Sequence, residues 1–208
     1  YILHSGSNAM VQGIRFSGAA NDNVIDGCTV DFSGMSSSTV PTGAYISFAS
    51  SNSAIKTIST THNGMRNTIK DCIFKTSSTK ASGPAYGIID QQGSSYYSSV
   101  ATDNTFVGNS IKNYYSCAFY LKYINGDQII SNDISRESAT SNSGVDSMMK
   151  IFYFHEGYST NRSNYIGKNT IHDLPYKGAS PANSGNYLAG LTGIEISNTY
   201  GTSNYPVT

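Results

Sequence analysis

Residues 164–171 read NYIGKNTI, an Asn-x-Ile-x-x-Asn-x-Ile pattern, and four earlier stretches repeat it. These are NVIDGCTV at 23–30, NTIKDCIF at 67–74, NTFVGNSI at 104–111 and DQIISNDI at 127–134. Offset two holds Ile25, Ile69, Phe106, Ile129 and Ile166; offset seven holds Val30, Phe74, Ile111, Ile134 and Ile171. Offset five holds Cys28, Cys72, Asn109, Asn132 and Asn169. Side chains on one face of a strand fall at even separations. The two apolar positions lie five apart, so a single straight strand cannot bury both. A corner between them resets the parity, and each copy therefore reads as short strand, corner, short strand. Gly27, Asp71, Gly108, Ser131 and Lys168 precede the bend, followed by Cys or Asn, and Asn tolerates the left-handed backbone that a sharp corner wants.

A third strand precedes each copy. The segments are GIRFS at 13–17, AYISFAS at 44–50, AYGIIDQ at 85–91, AFYLKYI at 118–124 and KIFYFH at 150–155, with GIEIS at 193–197 after the last copy. They are rich in the β-branched and aromatic residues that suit a pleated surface. The copies start at 23, 67, 104, 127 and 164, so the steps are 44, 37, 23 and 37 residues. The shortest step sets the basic coil. The longer ones carry Ser-, Gly-, Asn- and Pro-rich loops after the motif (33–43, 76–84, 135–147, 172–192) and before it (51–66, 92–103, 156–163). Variable loops at fixed corners of a constant coil give a solenoid its face.

The expected fold is all-β: a right-handed parallel β-helix of three-strand coils, about five to six in number, with loop insertions at two corners. Each coil rests on the one below, so aliphatic rows bury a continuous core. Stacked asparagines hydrogen-bond along the axis and satisfy polar groups at the corner. Leucine is too scarce for leucine-rich repeats, and no helical period of 3.6 is sustained.

Composition narrows the function classes. Thirteen Lys plus Arg balance 13 Asp plus Glu, and only 12% of residues are charged. A nucleic-acid partner or an anionic membrane surface needs a basic face, so neither is expected. No apolar run reaches the roughly 20 residues that cross a bilayer, so membrane insertion is not expected. The 208 residues read as one domain, 1–208, and as a piece of a longer chain, since the sequence opens on Tyr1 with neither Met nor a basic leader. Bare solenoid ends expose unpaired strand groups, so flanking sequence or a neighbouring chain is expected to cap both. Cys28, Cys72 and Cys117 form no C-x-x-C, which argues against a disulfide framework and against a zinc site. Cys28 and Cys72 are expected as buried free thiols, because in-register side chains point the same way.

The copies NTIKDCIF, NTFVGNSI and NYIGKNTI resemble the parallel β-helix repeats of the pectate-lyase-like superfamily over roughly residues 13–197. That superfamily includes polysaccharide lyases, glycoside hydrolases, epimerases, phage tailspikes and adhesins. The Ser/Thr/Asn-rich loops also resemble large secreted surface proteins of the Bacteroidetes type. The resemblance implies an extracellular or cell-surface location. It also implies a polysaccharide or surface protein as partner. No cofactor is expected, and calcium would enter only with a lyase, whose acidic residues hold the ion or neutralise a uronate. A glycoside hydrolase would need two carboxyls about 5–10 Å apart.

The densest titratable cluster is FHEGYSTNR, with His155, Glu156, Tyr158 and Arg162 at a strand end and in the loop after it. His-Glu there is not H-E-x-x-H, so zinc has no support. Lys122 and Asp90 fall on preceding strands of adjacent coils, and Glu195 and Arg15 on matching strands. Polar residues of such strands are expected to point outward. Catalytic candidates are Lys122, His155, Glu156 and Arg162. Tyr96, Tyr97, Tyr153 and Tyr158 are carbohydrate-binding candidates, since a tyrosine ring stacks on a sugar face while its hydroxyl bonds outward. Tyr114, Tyr115, Tyr165 and Tyr176 share that pattern. The first reading is a scaffold presenting loops to carbohydrate or a partner; a polysaccharide lyase or glycoside hydrolase is the alternative, and a trimeric phage tailspike segment a third.

Overall fold

The computed structural model describes residues 2–3, 10–34, 42–49, 64–77, 84–91, 102–114, 117–136, 149–156, 163–173 and 191–197. Within strands 2–3, 149–156 and 191–197 it describes the backbone. Every element among them is a strand, and all strand pairs are parallel.

The chain visits three sheets in turn. The long sheet holds β2 (Met10–Phe16), β5 (Thr42–Phe48), β8 (Tyr86–Gln91), β11 (Cys117–Ile124), β14 (Met149–Glu156) and β17 (Leu191–Ser197). The first short sheet holds β3 (Val24–Asp26), β6 (Thr68–Lys70), β9 (Thr105–Val107), β12 (Gln128–Ile130) and β15 (Tyr165–Gly167). The second short sheet holds β1 (Ile2–Leu3), β4 (Thr29–Asp31), β7 (Ile73–Lys75), β10 (Ser110–Lys112), β13 (Asp133–Ser135) and β16 (Thr170–His172). Within each sheet the strands neighbour one another in chain order. That is the arrangement of a parallel β-helix. The third-strand segments read from the sequence all lie on the long sheet, within three residues of the observed boundaries. Strand β1 has no counterpart in that reading.

Register confirms the rows. Ile25, Ile69, Phe106, Ile129 and Ile166 are successive Cα partners across the first short sheet. Ile2, Val30, Phe74, Ile111, Ile134 and Ile171 do the same across the second. On the long sheet the inward row runs Ile14, Ile46, Ile88, Phe119. Ile69, Phe74, Phe106, Ile111, Ile129 and Ile134 are fully buried, and each such side chain contributes about 1.5–3 kcal/mol of apolar transfer. Aromatic rings pack against one another in the interior: Phe106 meets Phe48 and Phe119 edge-on, with centroids 6.3 and 5.8 Å away. Tyr45 lies between Phe32 and Phe74, and its hydroxyl donates to the Lys112 carbonyl at 2.7 Å.

The corner between the two short strands is two residues long in every copy. Its first residue takes the left-handed conformation: Gly27, Asp71, Gly108, Ser131 and Lys168 have φ between +53° and +67°. The sequence reading placed that strain on the Asn that follows. The structure puts it one residue earlier, which leaves the Asn free to aim its side chain inward along the stack. At Gly108 a Cβ would lie 2.5 Å from Asp71 Oδ1, a contact that the exposed Asp71 side chain can relieve by turning aside, so the positive φ is what favours glycine there.

Two hydrogen-bonded ladders run through the corners. At offset five, Asn132 Oδ1 accepts from the Asn109 backbone N–H (2.9 Å) and from Asn109 Nδ2 (3.0 Å), and Asn132 Nδ2 donates to Phe106 O (3.0 Å). Asn169 repeats the arrangement on Asn132 and Ile129. Cys72 takes the Asn place one level down: its backbone N–H donates to Asn109 Oδ1, and its Sγ accepts from the Cys28 N–H at 3.3 Å. All three thiols are free. Cys72 is buried as expected, whereas Cys28 is only partly covered, because it belongs to the first level of its ladder. At offset zero the second ladder joins Asn23, Asn67, Asn104, Asp127 and Asn164, each backbone N–H donating to the side-chain oxygen of the next.

Candidate functional site

The long sheet is where the sequence candidates converge. Its outward row runs Arg15, Ser47, Ile89 and Tyr120 by register, and Tyr153 and Glu195 continue it as Cα partners. Further along, Gln91, Lys122, His155 and Ser197 are successive Cα partners. The structure thus brings Lys122 and His155 to adjacent levels of one row, with Glu156 next in chain at a register shift opposite Ile124. Lys122 is half-buried. For Tyr153, His155 and Glu156 the backbone position is described. Tyr96, Tyr97, Tyr158 and Arg162 lie outside the described residues, as do Tyr115 and Tyr176.

The outward face of the long sheet is not the open surface that half-exposed strands would give. Ala44 and Ile89 are fully buried, Tyr86 and Cys117 nearly so, and with Ala85 and Tyr120 they form a second apolar cluster. Tyr86 and Tyr120 pack edge to face with centroids 5.3 Å apart. The sheet is therefore buried on both faces at its middle levels, as parallel sheets generally are. Ser47, also buried, donates its hydroxyl to Gln12 Oε1 at 2.7 Å.

Asp90 corrects an expectation. It aligns with Phe48 and Leu121 on the inward row and is fully buried, not turned to solvent. Asn104 Nδ2 donates to its Oδ2 at 3.4 Å. The same Asn104 donates its backbone N–H to Asp127 Oδ1 at 2.9 Å, and the Thr102 hydroxyl donates to that oxygen as well. Asp127 Oδ2 is buried and has no hydrogen-bond partner among the described residues. Burial pushes the Asp127 carboxyl up to about 7, against the pull of the bonds from Thr102 and Asn104, with the Asp103 charge adding to the rise. This polar group is sealed inside the stack. It can hold a proton but cannot meet a polymer substrate.

Tyr114 likewise leaves the list of sugar-stacking rings, because it is buried in the core and its hydroxyl titrates well above the ordinary range through burial. Tyr165 remains exposed, at 37%.

A cluster that the sequence reading passed over lies on the second short sheet. His172 Nδ1 is 2.7 Å from Asp173 Oδ2, and Nε2 is 2.8 Å from Asp133 Oδ1. The hydrogen bonds to Asp173 and then Asp133 raise the imidazole above its ordinary range. An imidazolium donating through both nitrogens has no lone pair for base catalysis, so this group links two levels. The signal was present, since His172-Asp173 directly follow the fifth copy. Other charges are also paired between levels: Arg66 with Asp22, Lys70 with Asp26 and Lys75 with Asp31, at 2.7, 2.9 and 3.2 Å. Among the described residues no three His, Cys, Asp or Glu side chains are grouped to hold a metal ion.

No protein-family model, curated protein or solved structure matches this chain.

Proposed function

We propose that the chain is a right-handed, pectate-lyase-like parallel β-helix that acts as an extracellular or cell-surface scaffold, with loops at two corners presented to carbohydrate or to a partner protein. The observation that carries this reading is where the connections vary. Between the two short strands the corner is always two residues, whereas 3 residues separate β11 from β12 and 19 separate β5 from β6 (125–127 and 49–67). From the second short sheet back to the long one they run from 4, between β10 and β11, to 18, between β16 and β17 (113–116 and 173–190). All the variation thus flanks the long sheet, while the ladders hold the rest rigid. Loops held on a rigid frame bind without the cost of ordering the frame. A glycan panel tests this directly: binding that falls at least tenfold in the Tyr96→Ala/Tyr97→Ala or Tyr158→Ala variants supports it, and no binding to any glycan sinks the carbohydrate half.

The register of Lys122 with His155, beside Glu156, favours a second reading as a polysaccharide lyase or glycoside hydrolase. A lysine or histidine base within reach of a carboxyl is the minimum equipment for proton abstraction beside a uronate. Incubation with uronate polymers, with and without calcium, would show an absorbance rise from unsaturated product that Lys122→Ala or His155→Ala abolishes. A flat trace across the panel ends the lyase version, and an absence of released reducing ends from neutral polymers ends the hydrolase version.

A further inference from the structure

The outward side of the first short sheet carries two rows. Offset one stacks Val24, Thr68, Thr105, Gln128 and Tyr165 by register, and offset three stacks Asp26, Lys70, Val107, Ile130 and Gly167. No member of either row is buried, whereas Ile69, Phe106 and Ile129 between them are fully so. At about 4.8 Å per step the rows run roughly 19 Å along the stack. Among the described residues the exposed large apolar side chains are Val24, Ile73 and Tyr165. Two of these three stand at the ends of the offset-one row.

Tyr165 lays its ring along the sheet. A Cβ built on Gly167, two residues on and on the same face, would run into Tyr165 Oη, with Cζ at 2.5 Å and Cε1 at 2.7 Å. The ring therefore lies across bare glycine backbone. Gly167 is outside the left-handed region, so its conformation does not call for glycine; the seat of the ring does. Tyr165 is nevertheless 37% exposed, so the ring is supported by the sheet on one side and open to solvent on the other. A tyrosine ring held in this way can stack on the C–H face of a pyranose while its hydroxyl bonds at the rim. Next to it in register come the Gln128 amide and the Thr105 and Thr68 hydroxyls. These groups both donate and accept without charge, as sugar hydroxyls require. Half-buried Val107 and Ile130 line the second row beside them.

Charge selects the kind of polymer. The strands of this sheet carry Asp26 and Lys70, which pair at 2.9 Å. The corner row on one border adds Asp71 and Lys168, one of each sign. On the other border Asp22 holds Arg66 at 2.7 Å, and the Asp103 charge acts on Arg66 as well. The face has no surplus of positive charge, so an anionic chain such as a uronate gains nothing from it. The corner towards the second short sheet is two residues in every copy, so no long loop stands along that border.

We infer that the outward face of the first short sheet is a carbohydrate-binding surface in its own right, taking a neutral polysaccharide extended along the stack. One pyranose sits on the Tyr165 ring, and its neighbours are hydrogen-bonded by Gln128, Thr105 and Thr68. This rests on the carbohydrate half of the proposed function and adds a site on the rigid coil itself, apart from the loops that flank the long sheet.

Titration of the full chain with neutral hexasaccharides of gluco, manno, galacto and xylo configuration tests it through amide chemical shifts, with hexagalacturonate as the charged counterpart. A neutral hexasaccharide should shift the amides of Val107, Gln128, Ile130 and Tyr165 and leave those of Ser110 and Lys112, on the second short sheet, in place. Tyr165→Ala should weaken that binding at least tenfold. Gly167→Ala keeps the tyrosine but lifts its exposed ring off the sheet, and should weaken binding at least threefold; melting temperatures beside that of the unaltered chain check that both variants fold. Tyr96→Ala/Tyr97→Ala should leave binding at this face unchanged. Glycan binding that the loop variants abolish and Tyr165→Ala spares would overturn this site and leave the proposed function standing, whereas no binding of any sugar would overturn both. Preference for hexagalacturonate would also overturn it. So would a Tyr165→Ala variant that changes only self-association in sedimentation, which would make the face a contact between copies of the chain.

Discussion

Replacing Asp127 by Asn should make the protein more stable, and by an amount that depends on pH. Asp127 is the one carboxylate in a ladder otherwise built of Asn23, Asn67, Asn104 and Asn164. Its Oδ1 does what an amide oxygen does, accepting from the Asn104 N–H at 2.9 Å. Its Oδ2 stands where the other members carry a donor: Asn104 and Asn164 use Nδ2 there to reach the carbonyls of Gly64 and Ile124, at 3.4 and 3.3 Å. Burial raises this carboxyl to about 7 in the folded chain, against about 3.9 for an unfolded aspartate. The folded state therefore binds the proton more tightly than the unfolded state. The stability contributed by the neutral acid is complete below about pH 4 and is lost as pH rises towards 7; above that it stays lost. Three pH units at about 1.4 kcal/mol each give a loss on the order of 4 kcal/mol, a large share of the roughly 5–15 kcal/mol that holds a typical domain together. Asn at this position carries no charge at any pH and restores the donor. Urea denaturation of both proteins at pH 5, 6, 7 and 8 should show Asp127→Asn ahead, with a lead that widens across the series. Other carboxylates cancel in the difference. A lead that stays constant with pH, or a native chain that is the more stable of the two at pH 8, would refute the reasoning.

Three other outcomes follow from the same geometry. Asn132→Leu removes the acceptor for Asn109 N–H and the donor to Phe106 O, both in buried surroundings; each orphaned group costs about 1–3 kcal/mol, so the denaturation midpoint should fall well below that of a surface control such as Gln128→Ala. Lys168→Gly relieves a left-handed backbone at φ 58°, and since that conformation costs a side-chain-bearing residue about 1–2 kcal/mol, calorimetry should record a raised melting temperature. His172 has a raised pKa from its bonds to Asp173 and Asp133, so its link between levels is intact below the ordinary imidazole range and is lost as pH rises through the higher folded value; an NMR titration of the ring protons should find the midpoint above that of unfolded histidine, and Asp173→Asn should bring it down.

The rows at offsets two and seven, the corner between them and the third strand were all legible in the amino-acid order. Their common cause is local and periodic: an odd spacing between apolar positions admits one bend, and the bend repeats with the motif. Asn in the offset-five row announced a ladder for the same reason, because a repeated amide at a repeated corner stacks on itself. The left-handed residue came out one place early, at Lys168 and its equivalents, because residue type alone does not say which side of a bend carries the strain.

Environment was decided by assembly. Asp90 looks in the chain like any polar residue on a strand, yet it turns inward because the alternation of β8 is anchored by Ile88 two places before it. Asp127 looks like a charge and is held neutral at low and moderate pH, because three separate levels enclose it. The buried outer face of the long sheet, the partial exposure of Cys28 and the clamp on His172 share that origin. Periodicity along a chain specifies which residues stack. What surrounds each of them depends on segments tens of residues away, and only the stacked coils bring those into contact.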